Sequence, residues 1–524
     1  MPESPARRWN GWGDPSVSYP LPDEGLAYLV QALGPGERID DGPYEKALAM
    51  VPTSRLASHP LVLTDPATRL AHARGHSLPD WVALRYGVVD SFPDGVAYPE
   101  SDLAVRALLE YAERQDVSLI PYGGGTSVVG HINPLPGDRP VLTVDLARLN
   151  RLIELDEVSR LATFEAGVRG PNLEAALAER GFTLGHFPQS FDYSTLGGWV
   201  ATRSTGQQSH HYGRIEQLFA GGHLETPAGP LDLPALPASA AGPDLRQLVL
   251  GSEGRLGILT RAIVRVRRRP IFERFSAFFF HEWMEGAEAV RRCAQEGAPA
   301  SMLRLGDSVE TETTLRLAGH PTLATWARRG LSLLGYPDSR CLLIAAETDR
   351  RAGLHRLGGL PAGRPIGSLW RTSRFRAPYL RNALWEAGYA LDTLETAVSW
   401  SRIVPCASAI LSALHAALEH EGERVLAFAH LSHAYPDGAS IYATLLFRRT
   451  RDPDQTLARW HALKESATAA LLEHGGTVSH QHGVGLDHAR FLSVEKGPLG
   501  LQTLGAACRT LDPRGVMNPG KLLA

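Results

Sequence analysis

Three glycine-rich loops, each tied to an extended run, constrain this chain more than any other feature. The first is Pro121-Tyr122-Gly123-Gly124-Gly125-Thr126-Ser127-Val128-Val129-Gly130-His131, directly after the β-like run 118–121. Consecutive glycines allow positive φ and close backbone approach, so successive N–H groups can point at one anion. Thr126 and Ser127 add hydroxyl donors. The loop has neither the GK[ST] of a P-loop nor the GxGxxG of a dinucleotide fingerprint. The second block runs Gly185-His186-Phe187-Pro188-Gln189-Ser190, then Ser194-Thr195-Leu196-Gly197-Gly198-Trp199-Val200-Ala201-Thr202, then Ser204 and Gly206. A helix starting at Ser194 or Thr195 beside Gly-Gly predicts a second anion cradle. The third is Gly251-Ser252-Glu253-Gly254-Arg255-Leu256-Gly257-Ile258-Leu259-Thr260, a turn feeding a strand at Ala262. Each alone is turn chemistry. Together, in this order, they define a ligand cradle.

The surrounding texture is α+β. Extended runs at 141–144, 161–167 and 262–266 alternate with helical patterns at 104–114 and 172–180. The chain divides on this reading into residues 1–89, an N-terminal, mainly helical extension; 90–270, the glycine-loop domain; 271–465, a second α+β domain; and 466–524, a segment returning to the first. Strands are expected at 275–280, 342–347 and 441–447, with helices at 379–394, 458–473 and 501–511. The stretch 231–242, rich in Pro and Ala, reads as a surface loop, and Trp9-Asn10-Gly11-Trp12-Gly13-Asp14 as an aromatic turn docking on something larger.

Composition excludes several classes. With 53 Lys+Arg against 56 Asp+Glu, the 524-residue chain has a formal charge of -3, without the basic surplus that phosphate contacts to nucleic acid need. Of the basic residues only Lys46, Lys464, Lys496 and Lys521 are lysines; arginine forks suit carboxylates and phosphates. The four cysteines form no CxxC pair, which speaks against zinc, dithiol or disulfide frameworks. Met1-Pro2-Glu3-Ser4-Pro5 is unlike a secretory signal, Lys521-Leu522-Leu523-Ala524 is not a peroxisomal one, and no run approaches the length of a membrane span. The expected location is cytoplasmic. Arg265-Val266-Arg267-Arg268-Arg269 reads as a solvated strand end.

The order PxGGGTSxxG, STxGGWVATRSxG, GSEGxLGIxT resembles the FAD domain of the vanillyl-alcohol oxidase / p-cresol methylhydroxylase superfamily. The resemblance implies a two-subdomain PCMH-type FAD-binding domain plus an antiparallel-sheet cap domain with helices. It implies that Pro121, Gly123, Gly124, Gly125, Thr126, Ser127, Gly130, His131, Pro188, Ser190, Ser194, Thr195, Gly197, Gly198, Ala201, Thr202, Ser204 and Gly206 hold FAD, the first two blocks around its pyrophosphate. Glu253, Gly254, Gly257 and Ile258 would approach its adenine–ribose and flavin parts. No Cys or His lies within or directly before the GGGTS loop, so attachment is expected to be non-covalent.

Within that superfamily the chain is similar to the alkylglycerone-phosphate synthases. The similarity rests on Trp9–Gly13, on 185–217, on Tyr379-Leu380-Arg381 with Leu394-Glu395-Thr396, and on Asp437-Gly438-Ala439-Ser440-Ile441-Tyr442. Gly475-Gly476-Thr477-Val478-Ser479-His480-Gln481-His482-Gly483-Val484-Gly485 completes it. It implies acyl/alkyl exchange on a dihydroxyacetone-phosphate-type, lipid-like substrate at flavin N5, without net redox. Tyr442, His480, His482 and Arg381 take the catalytic positions, and Arg304, His430, His433 and Thr393 the substrate-binding ones. The flavin is expected to face Arg381, Tyr442 and the histidines. Tyr442 is expected as a phenolate favoured by guanidinium groups. Gln481 departs from a three-histidine run.

The D-2-hydroxyacid dehydrogenases share the FAD domain, which leaves an FAD-linked oxidase or dehydrogenase of a 2-hydroxy acid or alcohol as the alternative, and a non-catalytic flavoprotein as a remote one. Tyr442 and Gln481 stand where those enzymes carry metal ligands, so no metal is expected. A homodimer with peripheral membrane contact completes the expectation.

Overall fold

The extended runs between residues 90 and 270 build two sheets rather than one. Gly95–Ala97, Val141–Asp145 and Ser118–Tyr122 lie parallel, with 141–145 in the middle and Val62–Leu63 added antiparallel at the edge. Helix Asp102–Gln115, capped by the Ser101 hydroxyl, makes the crossover from Gly95–Ala97 to Ser118–Tyr122, the two parallel strands that flank 141–145. These parallel strands are buried almost throughout, which is why they appear as continuous apolar runs. The second sheet is antiparallel, in the order Leu152–Asp156, Leu161–Glu165, Ile258–Arg265, Phe219–Thr226, Gly229–Leu233. Part of the expected 231–242 loop is therefore strand. Arg267–Arg268 pairs with Phe182–Thr183 in a small ribbon and is exposed, as the solvated strand end required.

The computed structural model describes residues 7–297, 300–317, 329–336, 338–349 and 354–523, so the N-terminal Met1–Pro5 and Ala524 lie outside the described residues. Two compact units emerge. The glycine-loop unit comprises Asp41–Gly206, Tyr212–Arg269 and Gln481–Ala524; the other comprises Met1–Asp40, Gln207–His211 and Pro270–His480. Two expectations are corrected here. The N-terminal extension is not one piece but divides after Asp40, and the return to the glycine-loop unit begins at Gln481, not near 466. Its helices, Asp23–Leu33, Tyr44–Ala49, Pro66–Ala71 and Leu78–Tyr86, are shared between the units accordingly.

The second unit is organised by a seven-stranded, wholly antiparallel sheet. Its order is Leu360–Gly363, Arg274–Phe280, Cys341–Glu347, Ala300–Gly306, Leu426–Ala434, Gly438–Arg448, Tyr389–Ser399. The predicted helix over 379–394 is overturned: a helix covers only Ala377–Glu386, and Gly388 at φ 91 turns the chain into strand Tyr389–Ser399. Only glycine takes such a φ without strain. Helix Pro453–Glu473 is longer than expected, and the last helix runs from Leu492 to Leu511 with a kink at Gly497-Pro498.

The stretch Trp400–Glu421 corrects the expectation that no run approaches a membrane span: by length and composition it is long and apolar enough to cross one. Within it, helix Ile403–Ala416 buries Ile403, Cys406, Ala407, Ile410 and Leu414. That spacing is a single helical face, and the helix packs on helix Pro453–Glu473 and on the strands at 426–434 and 438–448.

Candidate active site

In the glycine-loop unit all three loops converge. The amides of Gly123, Gly124, Gly125, Thr126 and Ser127 donate to no acceptor among the described residues, leaving a row of N–H groups open to an anion. A Cβ on Gly124 would strike the Tyr193 carbonyl, and one on Gly123 the Thr195 hydroxyl, so the first loop lies directly against the second block. Ser127 Oγ is 2.8 Å from His131 Nδ1, and His131 Nε2 is 3.2 Å from Glu253 Oε1 in the third loop. Glu253 in turn accepts from the amides of Val484 (2.6 Å) and Gly485 (2.8 Å). Asn518 Nδ2 donates to the carbonyls of both His131 and Glu253. The Gly483–Gly485 loop and the C-terminal segment thus lock the cradle. His482 lies half-buried beside them.

The second block contributes differently from the expectation. The amides that would form its anion cradle are consumed: Leu196 N donates to Val168 O, Gly197 N to Ala166 O, and Gly198 N to Thr195 Oγ1. Here the glycines allow close packing, since a Cβ on Gly197 would meet Ala166. Thr202 Oγ1 bonds back to Gly198 O, and Ser194 Oγ accepts from Trp199 Nε1. His186 is fully buried, 3.2 Å from Ser204 Oγ. Burial, with Arg214 adding to it, pushes its imidazole down to about 3, so it is neutral.

The second unit gathers its polar side chains along three neighbouring strands. Register places Tyr442 opposite Glu395 on one side and His430 on the other. The rings of His430 and Tyr442 stack with centroids 4.8 Å apart, and Tyr442 OH donates to Thr393 Oγ1 at 3.1 Å. Arg304 Nη2 lies 2.6 Å from Glu310 Oε1, and His430 Nδ1 3.0 Å from the same oxygen. Burial opposes ionisation of Glu310, but the Arg304 charge and the hydrogen bonds from Arg304 and His430 outweigh it and lower the carboxyl below its usual range. Burial and Arg304 together push His430 down. Glu310 is therefore ionised and His430 neutral, and Nδ1–H is assigned as the donor to Glu310.

Beyond Glu395 the row continues. His480 Nδ1 is 3.6 Å from Glu395 Oε1, His480 Nε2 is 2.7 Å from Tyr435 OH, and the rings of His433 and His480 stack at 5.1 Å. Ser209 Oγ meets His433 Nδ1 at 2.9 Å. Arg381 lies on helix Ala377–Glu386; burial would raise the Asp392 carboxyl, but the positive charges of Lys464 and Arg381 hold it below the usual range.

Three site expectations change. Tyr442 is not a phenolate: burial raises its phenol strongly and Glu395 adds to this, while Arg304 pulls back only weakly. Arg304 is engaged by Glu310 instead of standing open to an anion. His480 and His482 fall in different units. Arg381, Thr393, His430, His433, Tyr442 and His480 do belong to one unit. Sequence reasoning missed Glu310, Glu395, Asp392, Lys464, Tyr435 and Ser209. Had 389–399 been recognised as strand, the two-residue spacing of Thr393 and Glu395 would have put them on Tyr442's face. Among the described residues no group of three or more His, Cys, Asp or Glu side chains could hold a metal ion.

Comparison with known proteins matches the two regions separately. Residues 93–231 match the FAD binding domain, and residues 269–522 the C-terminal domain of FAD linked oxidases. The open amides of Gly123–Ser127 are suited to a pyrophosphate, and FAD is the cofactor. The chain is an FAD-dependent enzyme that carries a region similar to each of these two domains.

Over its whole length it resembles the alkyldihydroxyacetonephosphate synthases. The Trypanosoma brucei brucei protein is 27% identical, with 98% of this chain and 92% of the relative covered. The Dictyostelium discoideum protein is 29% identical, covering 88% and 78%. A solved alkyldihydroxyacetonephosphate synthase structure superposes with a TM-score of 0.84 at 25% identity, over 98% of this chain and 99% of that one.

Proposed function

We propose that this protein exchanges the acyl chain of an acyl-dihydroxyacetone phosphate for a fatty alcohol, giving an ether lipid precursor. The observation that carries the proposal is the single row Arg304–Glu310–His430–Tyr442–Glu395–His480, in which four of the expected groups stand beside two carboxylates in one unit. Bound FAD supplies the ring chemistry for an exchange without net redox, and the amides of Gly123–Ser127 hold its pyrophosphate. Arg381 recognises the substrate phosphate as a bidentate donor. Tyr442, buried and protonated, donates a hydrogen bond to the departing acyl oxygen, and its ring is held by His430 and Thr393. Arg304 serves as a positioning residue: with Glu310 it fixes the His430 tautomer.

The test is purified holoprotein with a long-chain acyl-dihydroxyacetone phosphate and a fatty alcohol, followed by mass spectrometry and the flavin spectrum. Ether product with the oxidised flavin spectrum retained is expected, and Tyr442→Phe lowers kcat by about 100-fold or more with FAD content unchanged. Flavin bleaching by a 2-hydroxy acid or alcohol, with no ether formed, would instead establish the dehydrogenase alternative. The same proposal extends to a cytoplasmic homodimer that binds FAD non-covalently and touches membranes only peripherally, which gel filtration, acid release of the flavin and cell fractionation check.

A further inference from the structure

The exchange assigned above releases one proton per turnover. The ester C–O bond breaks with its electron pair leaving on the acyl carboxylate, a new C–O bond forms to the alcohol, and the alcohol O–H proton must go to solvent. Tyr442 cannot absorb it, since it already carries its own. Gln481 cannot either, because an amide has no titratable proton at neutral pH.

One line of groups leads outward from Tyr442. Glu395 faces Tyr442 across the strand pair and is buried. His480 Nδ1 is 3.6 Å from that carboxylate, and His480 Nε2 is 2.7 Å from the Tyr435 hydroxyl. Tyr435 is only half-buried and begins the turn whose next residues, Pro436 and Asp437, are exposed. The indole Nε1 of Trp400 donates to the Tyr435 carbonyl and holds that turn. His433, hydrogen-bonded to Ser209, stacks on the His480 ring. An imidazole with one nitrogen toward a carboxylate and the other toward a hydroxyl accepts a proton on one side and releases it on the other.

We propose that Glu395, His480 and Tyr435 form the proton exit of the Tyr442 site. Glu395 takes the alcohol proton, His480 passes it by exchanging the proton between its two nitrogens, and Tyr435 delivers it at the exposed turn. The inference rests on the exchange reaction proposed above. None of the three steps consumes an oxidant or reductant.

Chemical rescue tests it. In holoenzyme turning over acyl-dihydroxyacetone phosphate and fatty alcohol, Tyr435→Phe keeps the ring and removes only the hydroxyl. It is expected to lower kcat about ten-fold, leave KM and FAD content unchanged and enlarge the solvent deuterium isotope effect. Added imidazole restores the rate. Glu395→Gln is expected to lower kcat further, and imidazole restores only part of that loss. A Tyr435→Phe enzyme with wild-type kcat and isotope effect, or a loss that imidazole does not touch, overturns the relay alone. Wild-type enzyme that forms no ether overturns the assigned reaction, and the relay with it.

Discussion

Burial, with Glu395 adding to it, is what keeps the Tyr442 phenol protonated, while Glu310 engages Arg304 in an ion pair. His186 is buried and neutral, with its folded pKa depressed from 6.5 to about 3. The unfolded chain takes up a proton first, so stability present above pH 6.5 is lost as pH falls from 6.5 toward 3. At 1.36 kcal/mol per pKa unit, the loss between pH 6.5 and 5 is about 2 kcal/mol. Urea unfolding of wild type and His186→Gln at both pH values checks this: the variant should show a shallower decline, and parallel declines would contradict the assignment.

At the scale of elements, the Trp9–Gly13 box fulfils its expectation of docking on something larger. Asn382 brackets Trp12, accepting from its amide at 3.1 Å and donating to its carbonyl at 3.0 Å. Tyr379 OH accepts from Asp14 N at 3.3 Å, and Gly13, at φ 82, lies against the Tyr379 ring. Both residues sit on the helix that carries Arg381, so the N-terminal strap holds that helix in place. Asn382→Leu leaves the Trp12 backbone unpaired where it is buried. It should cost about 2 kcal/mol, read as a lower urea midpoint together with earlier proteolytic cleavage of the strap. An unchanged midpoint would show that the strap bears no load. The helix–strand switch at Gly388 belongs to this scale as well. The apolar residues at 379–394 fit helical spacing locally, and only pairing with Gly438–Arg448 makes 389–399 a strand, since a non-local hydrogen-bond ladder outweighs weak local preference.

For the whole molecule, the glycine-loop cradle is assembled from segments far apart in sequence: Gly123–Ser127, Tyr193–Thr195, Glu253 and Val484–Gly485. Gly124→Val drives a side chain into the Tyr193 carbonyl and should yield protein with FAD content at least ten-fold lower at equal purity (the ratio of flavin to protein absorbance), while an unchanged ratio would remove the first loop from the cofactor site. The glycine loops, their order and the FAD they imply were legible because close backbone approach and unpaired amides demand glycine, and glycine is visible in any sequence. So were most strands and helices, whose apolar spacing is a local property. The amide row that stays open and the one that packing consumes look alike as text; tertiary contacts with Val168 and Ala166 decide between them. The same holds for Glu310, Glu395 and Tyr435: a carboxylate or a phenol acquires its protonation state and its neighbours only from burial and strand register, and both are set by residues distant in the chain.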